Sequence, residues 1–500
     1  MSDTTTRAGV CRLVAAVGTA VVLGVGAFGL GAVAVDSQPP AVPKARCGPG
    51  ALPETSIQGR VPLTDYLDGR AAKGYRCNAR LVAHQGRNGG FKVLRYRDSQ
   101  GHVCAYYDST LLFPKDVLFN AVQGLGVIVL DMADVTRPRQ TATLTSPAML
   151  SPHESLLVNQ KRGLLAGVLG NPATNVGILD VYDVHTDCRH PRLLSSSNSP
   201  VLGHESGWAP DGRTFWAAST GGFTLAAIDL TDPSKPKRIF FQSGVGYHGL
   251  RLSSDGNTMY VADTGTSTAG ALQHKGLRIL DVSQVQARRA DPKVTIKADL
   301  TWSTVSIPQV AEPFTKNGHK YLLEVDEYAN YSASVDPRQQ PVGAARIINI
   351  DDPRHPYVVS DLRLQVHQQA NRQGDQWLDP GAQIPVQGYA AHYCSLPTKV
   401  DPKIAGCSMI LSGLRLFDIR DLHHPKEVGY FNKPFVPLGD PTANPTANPT
   451  ANPTASPTAI GGFAMSQPAW DVAHDSVWYT DGNSGFYNVR LTNGVQNLLP

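Results

Sequence analysis

Histidines recur at one position in the repeating units of this 500-residue chain. Each stands just before or at the start of a short apolar segment of the kind that forms a β-strand. The four are His153, His204, His248 and His392. If these segments are the innermost strands of neighbouring repeats in a ring, their side chains converge on the ring axis. Imidazole suits iron, copper and zinc, so the spacing predicts a site for one such metal ion.

Carboxylates follow two of these histidines directly. Glu154 follows His153 and Glu205 follows His204, and Gln309 takes the matching position in a later repeat. A carboxylate next to a metal-binding imidazole commonly fixes its orientation. We therefore expect the four imidazoles to bind the metal and the two glutamates to support them.

A purely structural role for the histidines is the alternative. A Gly-His pair ahead of an inner strand, such as Gly203–His204, can hydrogen-bond the backbone of its own repeat. The two interpretations differ in geometry. Imidazoles that share one axial pocket favour a metal site, whereas imidazoles that bond backbone groups in separate repeats favour a scaffold.

A second group of possible ligands is acidic. Glu324, Asp326 and Glu327 lie within four residues and could form a Ca²⁺ site or an acid/base pair. Three acids so close together are more typical of an exposed strand end. We therefore expect this group to face solvent.

The elements that must position these residues are repeats. Six apolar segments each close on an aspartate or asparagine, then continue into a polar turn and, in most copies, a proline. The closing residues are Asp131, Asp180, Asp229, Asp281, Asn349 and Asp418. Spacings of about 50 to 70 residues indicate a solenoid, propeller or array.

A second hairpin lies between these segments. Asp211–Gly212 and Asp255–Gly256 are strong turn signals between alternating strands. Four strands in about 50 residues make a propeller blade. With a weaker seventh copy at 485–490, the pattern predicts an all-β, seven-bladed propeller. We expect residues 90–97 or 103–107 to complete the last blade and close the ring.

The N-terminus predicts export. Arg7 and Arg12 precede an apolar run over residues 13–35, which ends in a small-residue pattern at Ala32–Ala34. Residues 1–35 are thus a signal peptide or, if uncleaved, a membrane anchor. Either way, the rest of the chain is secreted or at the cell surface. Residues 36–80 read as an extended lead-in and residues 81–500 as the propeller, in which the low-complexity 441–459 stretch predicts a loop.

Six cysteines past the export segment predict disulfides, with fifteen possible connectivities. Sequence nearness favours three pairs: Cys47–Cys77, Cys104–Cys188 and Cys394–Cys407. The net charge of +4 is spread along the chain, so a nucleic-acid partner is not expected. A membrane contact is expected only through an uncleaved N-terminal segment.

The repeats resemble those of the LVIVD-repeat proteins, which are exported β-propellers mostly of unknown function. Val127–Asp131 and Leu277–Asp281 are the copies most similar to that motif. The resemblance implies a protein that binds rather than catalyses. We therefore expect a scaffold that binds a protein, a glycan or a cell-wall component through its loop faces. A metal-dependent oxidoreductase built on the axial histidines is the alternative function.

Overall fold

Past residue 37, strands paired in antiparallel sheets are the main elements of the chain. The computed structural model describes residues 38–109, 126–170, 177–199, 203–219, 221–265, 274–328, 337–380, 388–435, 462–482 and 484–500. The predicted export segment and the predicted 441–459 loop lie outside these ranges.

Seven sheets, called blades 1 to 7 here, follow one another along the chain, and each is an antiparallel meander. Blade 1 contains β3 Val93–Arg97, β4 Val103–Asp108, β5 Val127–Asp131 and β6 Arg139–Leu144, and blade 2 contains β7 Leu156–Asn159, β8 Leu164–Val168, β9 Leu179–Asp183 and β10 Arg192–Ser197. Blade 3 contains β11 Gly207–Trp208, β12 Thr214–Ser219, β13 Thr224–Asp229 and β14 Lys237–Ser243, and blade 4 contains β15 Tyr247–Leu252, β16 Thr258–Thr264, β17 Lys275–Asp281 and β18 Thr295–Leu300.

Of the last three blades, blades 6 and 7 each include a strand from near the start of the described chain. Blade 5 contains β19 Ile307–Lys316, β20 His319–Glu327, β21 Ala345–Asn349 and β22 Tyr357–Leu362. Blade 6 contains β23 Tyr393–Ser395, β24 Ile404–Met409, β25 Gly413–Asp418 and β26 Lys426–Asn432, with β1 Tyr75–Cys77 added. Blade 7 contains β27 Ala469–Asp471, β28 Ser476–Asp481 and β29 Gly485–Leu491, with β2 Ala79–Gln85 added.

The core lies between the blades. Each of the seven pairs of neighbouring blades shares a cluster of buried apolar side chains, including the pair formed by blades 7 and 1. Trp478 of blade 7 and Ala105 of blade 1, for example, pack in one cluster. Since every sheet buries both faces against its neighbours, the sheets form a closed ring. The predicted seven-bladed β-propeller is confirmed.

The strand that closes the ring differs from the expectation. Blade 7 is completed by β2, in which Ala79 pairs with Leu491 and Gln85 with Phe486. The segments expected in this role instead form β3 and β4, the inner strands of blade 1. Blade 1 needs these strands because β5 and β6 supply only its outer half.

The closing residue of each repeat ends the third strand of a blade and caps a turn. Asp131, for example, accepts a hydrogen bond from the backbone N–H of Ala133. In blade 2 this role belongs to Asp183, which accepts from His185. The sequence placed it at Asp180, which is instead buried and accepts from the N–H of Ala148. The third strand of blade 2 therefore ends at Asp183, three residues later than the sequence pattern predicts.

Helices are short and lie in the lead-in and connections. The α-helices are Leu63–Leu67, Pro147–Leu150 and Ser283–Gln286, and the 3₁₀ turns are Ala71–Lys73, Pro337–Gln339, Gln365–His367, Gln369–Arg372, Gly374–Leu378, Val472–His474 and Val495–Leu498. Among the described residues, no helix has both the length and the apolar character needed to span a membrane.

All three predicted disulfides are confirmed. Cys47–Cys77 ties the lead-in to itself, Cys104–Cys188 joins β4 to the connection that follows β9, and Cys394–Cys407 links β23 to β24. Ion pairs also hold the lead-in on blade 6. Buried Arg415 contacts Glu54 of the lead-in and, at 2.9 Å, Glu427.

Candidate axial metal site

The four predicted histidines lie together. His153, His204 and His392 stand just ahead of the inner strands of blades 2, 3 and 6, and His248 is the second residue of β15. The His204 ring centroid lies 4.6 Å from that of His153 and 4.2 Å from that of His248. The Nε2 atoms of His204 and His248 are 2.6 Å apart. The imidazoles therefore share one pocket.

Glycines next to the histidines allow this close approach. A Cβ on Gly249 would lie 2.1 Å from the carbonyl oxygen of Gln309, and one on Gly203 would lie 2.6 Å from Val168. Neither position can hold a larger residue without displacing the neighbouring blade. The Gly-His and His-Gly pairs of the sequence thus reflect blade packing at the axis.

Two imidazoles are held by the backbone of another blade through Nδ1. His248 Nδ1 lies 2.7 Å from the carbonyl oxygen of Pro308, and His392 Nδ1 lies 2.5 Å from that of Met465. A carbonyl oxygen only accepts, so Nδ1 carries the proton in both rings. When these rings are neutral, Nε2 therefore presents its lone pair to the pocket. Both sequence interpretations hold in part: one nitrogen serves structure, and the other faces the shared pocket.

Two carboxylates lie among the Nε2 atoms. Glu154 Oε2 is 3.1 Å from His204 Nε2, and Glu154 Oε1 is 3.1 Å from His392 Nε2. Glu327 Oε2 is 3.0 Å from His392 Nε2, and its Oε1 is 3.3 Å from His248 Nε2. Glu154 was expected to orient the imidazoles, but it lies in the pocket as a potential ligand itself.

The acidic group 324–327 does not face solvent, so the expected exposed strand end is wrong. Glu324, Asp326 and Glu327 are 1%, 0% and 5% exposed. They lie on β20, in the interior of blade 5, where Arg346 pairs with Glu324 and Asp326. Glu327, the last residue of β20, was predicted in a separate, solvent-facing acidic group but lies beside His248 and His392 in the axial pocket.

Glu205 takes part in a different network. Its carboxylate lies 2.7 Å from Lys92 Nζ and 2.7 Å from Arg251 Nη2, and it accepts a hydrogen bond from the Tyr393 hydroxyl. Lys92 is fully buried just ahead of β3. This network supplies two cations beside the pocket, and it occupies the carboxylate expected to orient His204.

Burial and mutual contact shift the protonation of the pocket residues. Burial, together with the neighbouring His204, lowers the pKa of His153 to about 3. Burial also lowers the pKa of His392, but close contact with Glu154 and Glu327 outweighs it, and the pKa rises to about 9. The pKa of Glu154 falls well below its ordinary value because nearby imidazoles outweigh the effect of burial. Glu154 is therefore an anion at neutral pH.

The pocket is enclosed by aromatic side chains and opens beside His204. Phe91 packs edge-on against His153 at 4.5 Å, and Tyr328 stacks on His392 at 5.8 Å. The His204 side chain keeps 21% exposure, whereas that of His392 has none. A ligand entering from solvent would therefore meet His204 first.

Several pocket atoms are close together without hydrogen-bond geometry. Glu154 Oε2 and His392 Nε2 are buried and have no hydrogen-bond partner with acceptable angles among the described residues, despite the contacts near 3 Å. Potential ligand atoms of His153, Glu154 and His204 lie within 4.8 Å of one another, as do those of Glu154, Glu327 and His392. The pocket thus contains two overlapping sets of three potential metal ligands.

A third such set lies apart, at Asp98, His102 and Asp187. Here the Asp98 carboxylate accepts backbone hydrogen bonds from Gln100, His102 and Cys188. These bonds explain the cluster as a support for the connection that carries Cys188.

Comparisons with known proteins show no family for the chain. No protein-family model matches the chain, and no curated protein matches it. The chain is similar to hydrazine synthase of Kuenenia stuttgartiensis (12% identity, 82% of this chain and 97% of that one, TM-score 0.46). It is also similar to the C-terminal WD40 domain of Sif2 (8% identity, 83% of this chain and 99% of that one, TM-score 0.45). A third similar structure is a putative TolB of Agrobacterium tumefaciens (16% identity, 57% of this chain and 85% of that one, TM-score 0.34). The seven-bladed β-propeller is the class of protein that the fold defines.

Proposed function

We propose that this protein is an exported metalloprotein, a β-propeller that binds a transition-metal ion in its axial pocket and acts as a metal-dependent oxidoreductase. The ligands are drawn from His153, His204, His248 and His392, with Glu154 and Glu327. The observation that carries the proposal is the orientation of His248 and His392. Backbone carbonyls hold Nδ1 of each ring, and Nε2 of each ring faces the pocket.

This orientation is the usual one for a metal-binding imidazole. A metal ligand typically donates its other ring N–H to a carbonyl or carboxylate, which fixes the tautomer and the ring plane. Carbonyls of neighbouring blades perform that task here. A histidine with only a structural role would have no need to direct its second nitrogen at two carboxylates, as both His248 and His392 do.

The separations between ligand atoms also support the proposal. Metal bonds of about 2.1 Å place adjacent ligand atoms about 3.0 to 3.4 Å apart, for octahedral and tetrahedral angles respectively. Four nitrogen–oxygen separations in the pocket lie between 3.0 and 3.3 Å. The 2.6 Å contact between His204 and His248 is shorter, and we expect a bound ion to separate these rings slightly.

The ligand types favour iron or copper over calcium and magnesium. Imidazole nitrogen suits iron, copper and zinc, and two histidines with one carboxylate is a set that Fe²⁺ enzymes use. The buried, aromatic-walled pocket excludes bulk water, which suits redox chemistry on a substrate admitted beside His204. These features support the oxidoreductase class, and the substrate would approach from the His204 side.

Export is supported by the disulfides. Three pairs form, and such bonds persist in oxidising compartments. The basic and apolar N-terminal sequence points in the same direction. We propose that the mature protein works outside the cytoplasm.

Metal analysis of the exported protein tests the function. We expect plasma mass spectrometry to find iron or copper with the wild-type chain, and the H204A/H248A variant to lose at least nine-tenths of it. The control is H423A/H424A, which removes two exposed histidines from a repeat turn and should retain the metal. Iron- or copper-loaded protein should also change its optical spectrum reversibly on reduction and reoxidation.

Wild-type protein that takes up none of the three metals, even after incubation with iron, copper or zinc salts, would contradict the proposal. The binding scaffold predicted from the sequence would then be the function to pursue. Zinc alone would retain the metal site and overturn the oxidoreductase class, because zinc has no redox chemistry.

A further inference from the structure

We propose that the axial pocket holds two metal ions, bridged by the carboxylates of Glu154 and Glu327. This inference rests on the proposed metal-binding function and concerns the number of ions and the roles of the two glutamates.

The contacts around the pocket form a closed circuit. Starting at His204 Nε2, the circuit passes to Glu154 Oε2, and Glu154 Oε1 then faces His392 Nε2. His392 Nε2 also faces Glu327 Oε2, while Glu327 Oε1 faces His248 Nε2. His248 Nε2 lies 2.6 Å from His204 Nε2 and completes the circuit.

Each carboxylate therefore divides its two oxygens between two groups of imidazoles. One oxygen of Glu154 and one of Glu327 face His392. The other oxygens face His204 and His248 respectively, and Glu154 Oε2 is also 3.8 Å from His248 Nε2. A single ion would use one oxygen, or both oxygens, of a carboxylate on the same side. Oxygens directed to opposite sides are the geometry of a bridge between ions about 3.5 to 4 Å apart.

The two halves offer different ligands. The first half has His204 and His248, with His153 beside them, and one oxygen from each glutamate. The second half has His392 and the remaining two oxygens. The first ion would thus have several nitrogen ligands, while the second would have fewer protein ligands.

Bound ions would also compensate the charge of the two carboxylates, which the protonated His392 compensates only in part when no metal is bound. Glu154 and Glu327 are 1% and 5% exposed, and a buried carboxylate needs a compensating charge. The nearby cations Lys92 and Arg251 already contact Glu205 at 2.7 Å. The Gln309 amide donates to Glu154 Oε1 at 2.6 Å, but it brings no charge. Two divalent ions would compensate both carboxylates where they lie.

The test counts metal ions in the wild-type chain and in one variant. Full-length exported protein is stripped with chelator, dialysed against Mn²⁺ and analysed for bound metal per chain. We expect two ions in wild type and one in Glu327→Gln, which loses a bridging oxygen and a charge. The control, Glu312→Gln, removes a buried carboxylate that pairs with Arg251 and Lys399 outside the pocket and should keep two ions.

Electron paramagnetic resonance of the Mn²⁺-loaded wild type gives a second measurement that needs no variant. Two bridged ions couple, and the spectrum should show nearly twice as many hyperfine lines as that of a single ion, at half the spacing. One ion per chain with an uncoupled spectrum would overturn the two-ion proposal and leave the metal-binding function intact. No bound Mn²⁺ would overturn the two-ion proposal, and failure to take up iron, copper or zinc as well would overturn both.

Discussion

Backbone contacts and backbone conformation set the positions of three histidines in the axial pocket. Nδ1 of His248 and His392 is bonded to a backbone carbonyl of another blade. His153 has φ of 51°, in the left-handed region. Such conformations cost free energy in residues other than glycine and often occur at functional sites. The fold therefore maintains a costly backbone conformation where the proposed ligands meet.

The buried Lys92–Glu205 pair should be essential to stability. In Lys92→Met, the Glu205 carboxylate keeps Arg251 and Tyr393 but loses a cation at 2.7 Å in a fully buried setting. Removing one member of a buried ion pair costs about 3 kcal/mol. We expect a loss of about that size in the free energy of unfolding, measured in urea.

Lys235→Met is the matched control. Its ion pair with Asp232 is 3.9 Å long and 83% and 55% exposed, and such a surface pair contributes less than about 1 kcal/mol. Equal losses in the two variants would show that the buried pair has no special role.

The sequence predicts the histidines better than it predicts their carboxylates. All four imidazoles meet as expected, because residues at the same position in successive blades must face the axis. Glu327 was not grouped with the axial histidines because it ends the second strand of its blade rather than preceding the first. Lys92 was missed because its blade begins with two strands that carry no repeat signature. The useful signal for Lys92 was its place directly ahead of an apolar strand.

At the scale of elements, Glu312 on β19 joins three parts of the ring. It contacts Arg251 of β15 at 2.8 Å and Lys399, in the connection after β23, at 2.7 Å. Burial raises the pKa of Glu312, but these two cations outweigh it and lower the pKa to about 2. The carboxylate therefore stabilises the fold most when it is ionised.

This shift predicts an acid-dependent loss of stability. The contribution of Glu312 is complete above its ordinary pKa of 4.5 and is lost as the pH falls towards 2. Glu312→Gln should lower the free energy of unfolding at pH 7 by up to about 3 kcal/mol. The difference from wild type should shrink steadily between pH 4.5 and 2.5.

The exposed Asp475→Asn variant serves as the control, because asparagine tolerates the left-handed conformation of that residue. Its stability should follow that of wild type at every pH. A Glu312→Gln deficit that stays constant from pH 7 to 2.5 would contradict the assigned role of the ion pairs.

The elements follow the sequence closely where the turn chemistry is local. Aspartate side chains that accept from a backbone N–H two residues later end the third strands as expected, as at Asp229 and Thr231. The error in blade 2 arose because Asp180 also follows apolar residues. Only the turn, which Asp183 caps, distinguishes the two positions.

At the scale of the whole molecule, disulfides that close longer loops should stabilise more. The two cysteines of Cys104–Cys188 are separated by 84 residues in the sequence, and those of Cys394–Cys407 by 13. Loop entropy then makes the longer bridge worth about 1.6 kcal/mol more. All four cysteines are buried, so the cavities left by alanine are comparable.

Urea unfolding of C104A/C188A and C394A/C407A measures this difference directly. The first variant should be the less stable of the two. If the second variant were equally or more destabilised, then native contacts around β23 and β24, rather than loop entropy, would determine the contribution of these bridges.

Ring closure could not be predicted from local sequence. β2 pairs with β29, more than four hundred residues later in the chain, and Ala79–Gln85 carries none of the repeat's turn signals. The number of blades was accessible because each blade repeats a pattern, whereas the closing strand occurs once. The burial of the acidic residues in blade 5 could not be predicted from local sequence either. Their charge is compensated by Arg346, which lies on the neighbouring strand.

Anomalous X-ray diffraction at the metal absorption edge tests the axial site most directly. From crystals of metal-loaded wild-type protein, we predict a peak on the propeller axis, about 2.1 Å from Nε2 of His248 and of the neighbouring imidazoles. A chain that shows no peak there, or shows its only peak at Asp98, His102 and Asp187, would contradict the account.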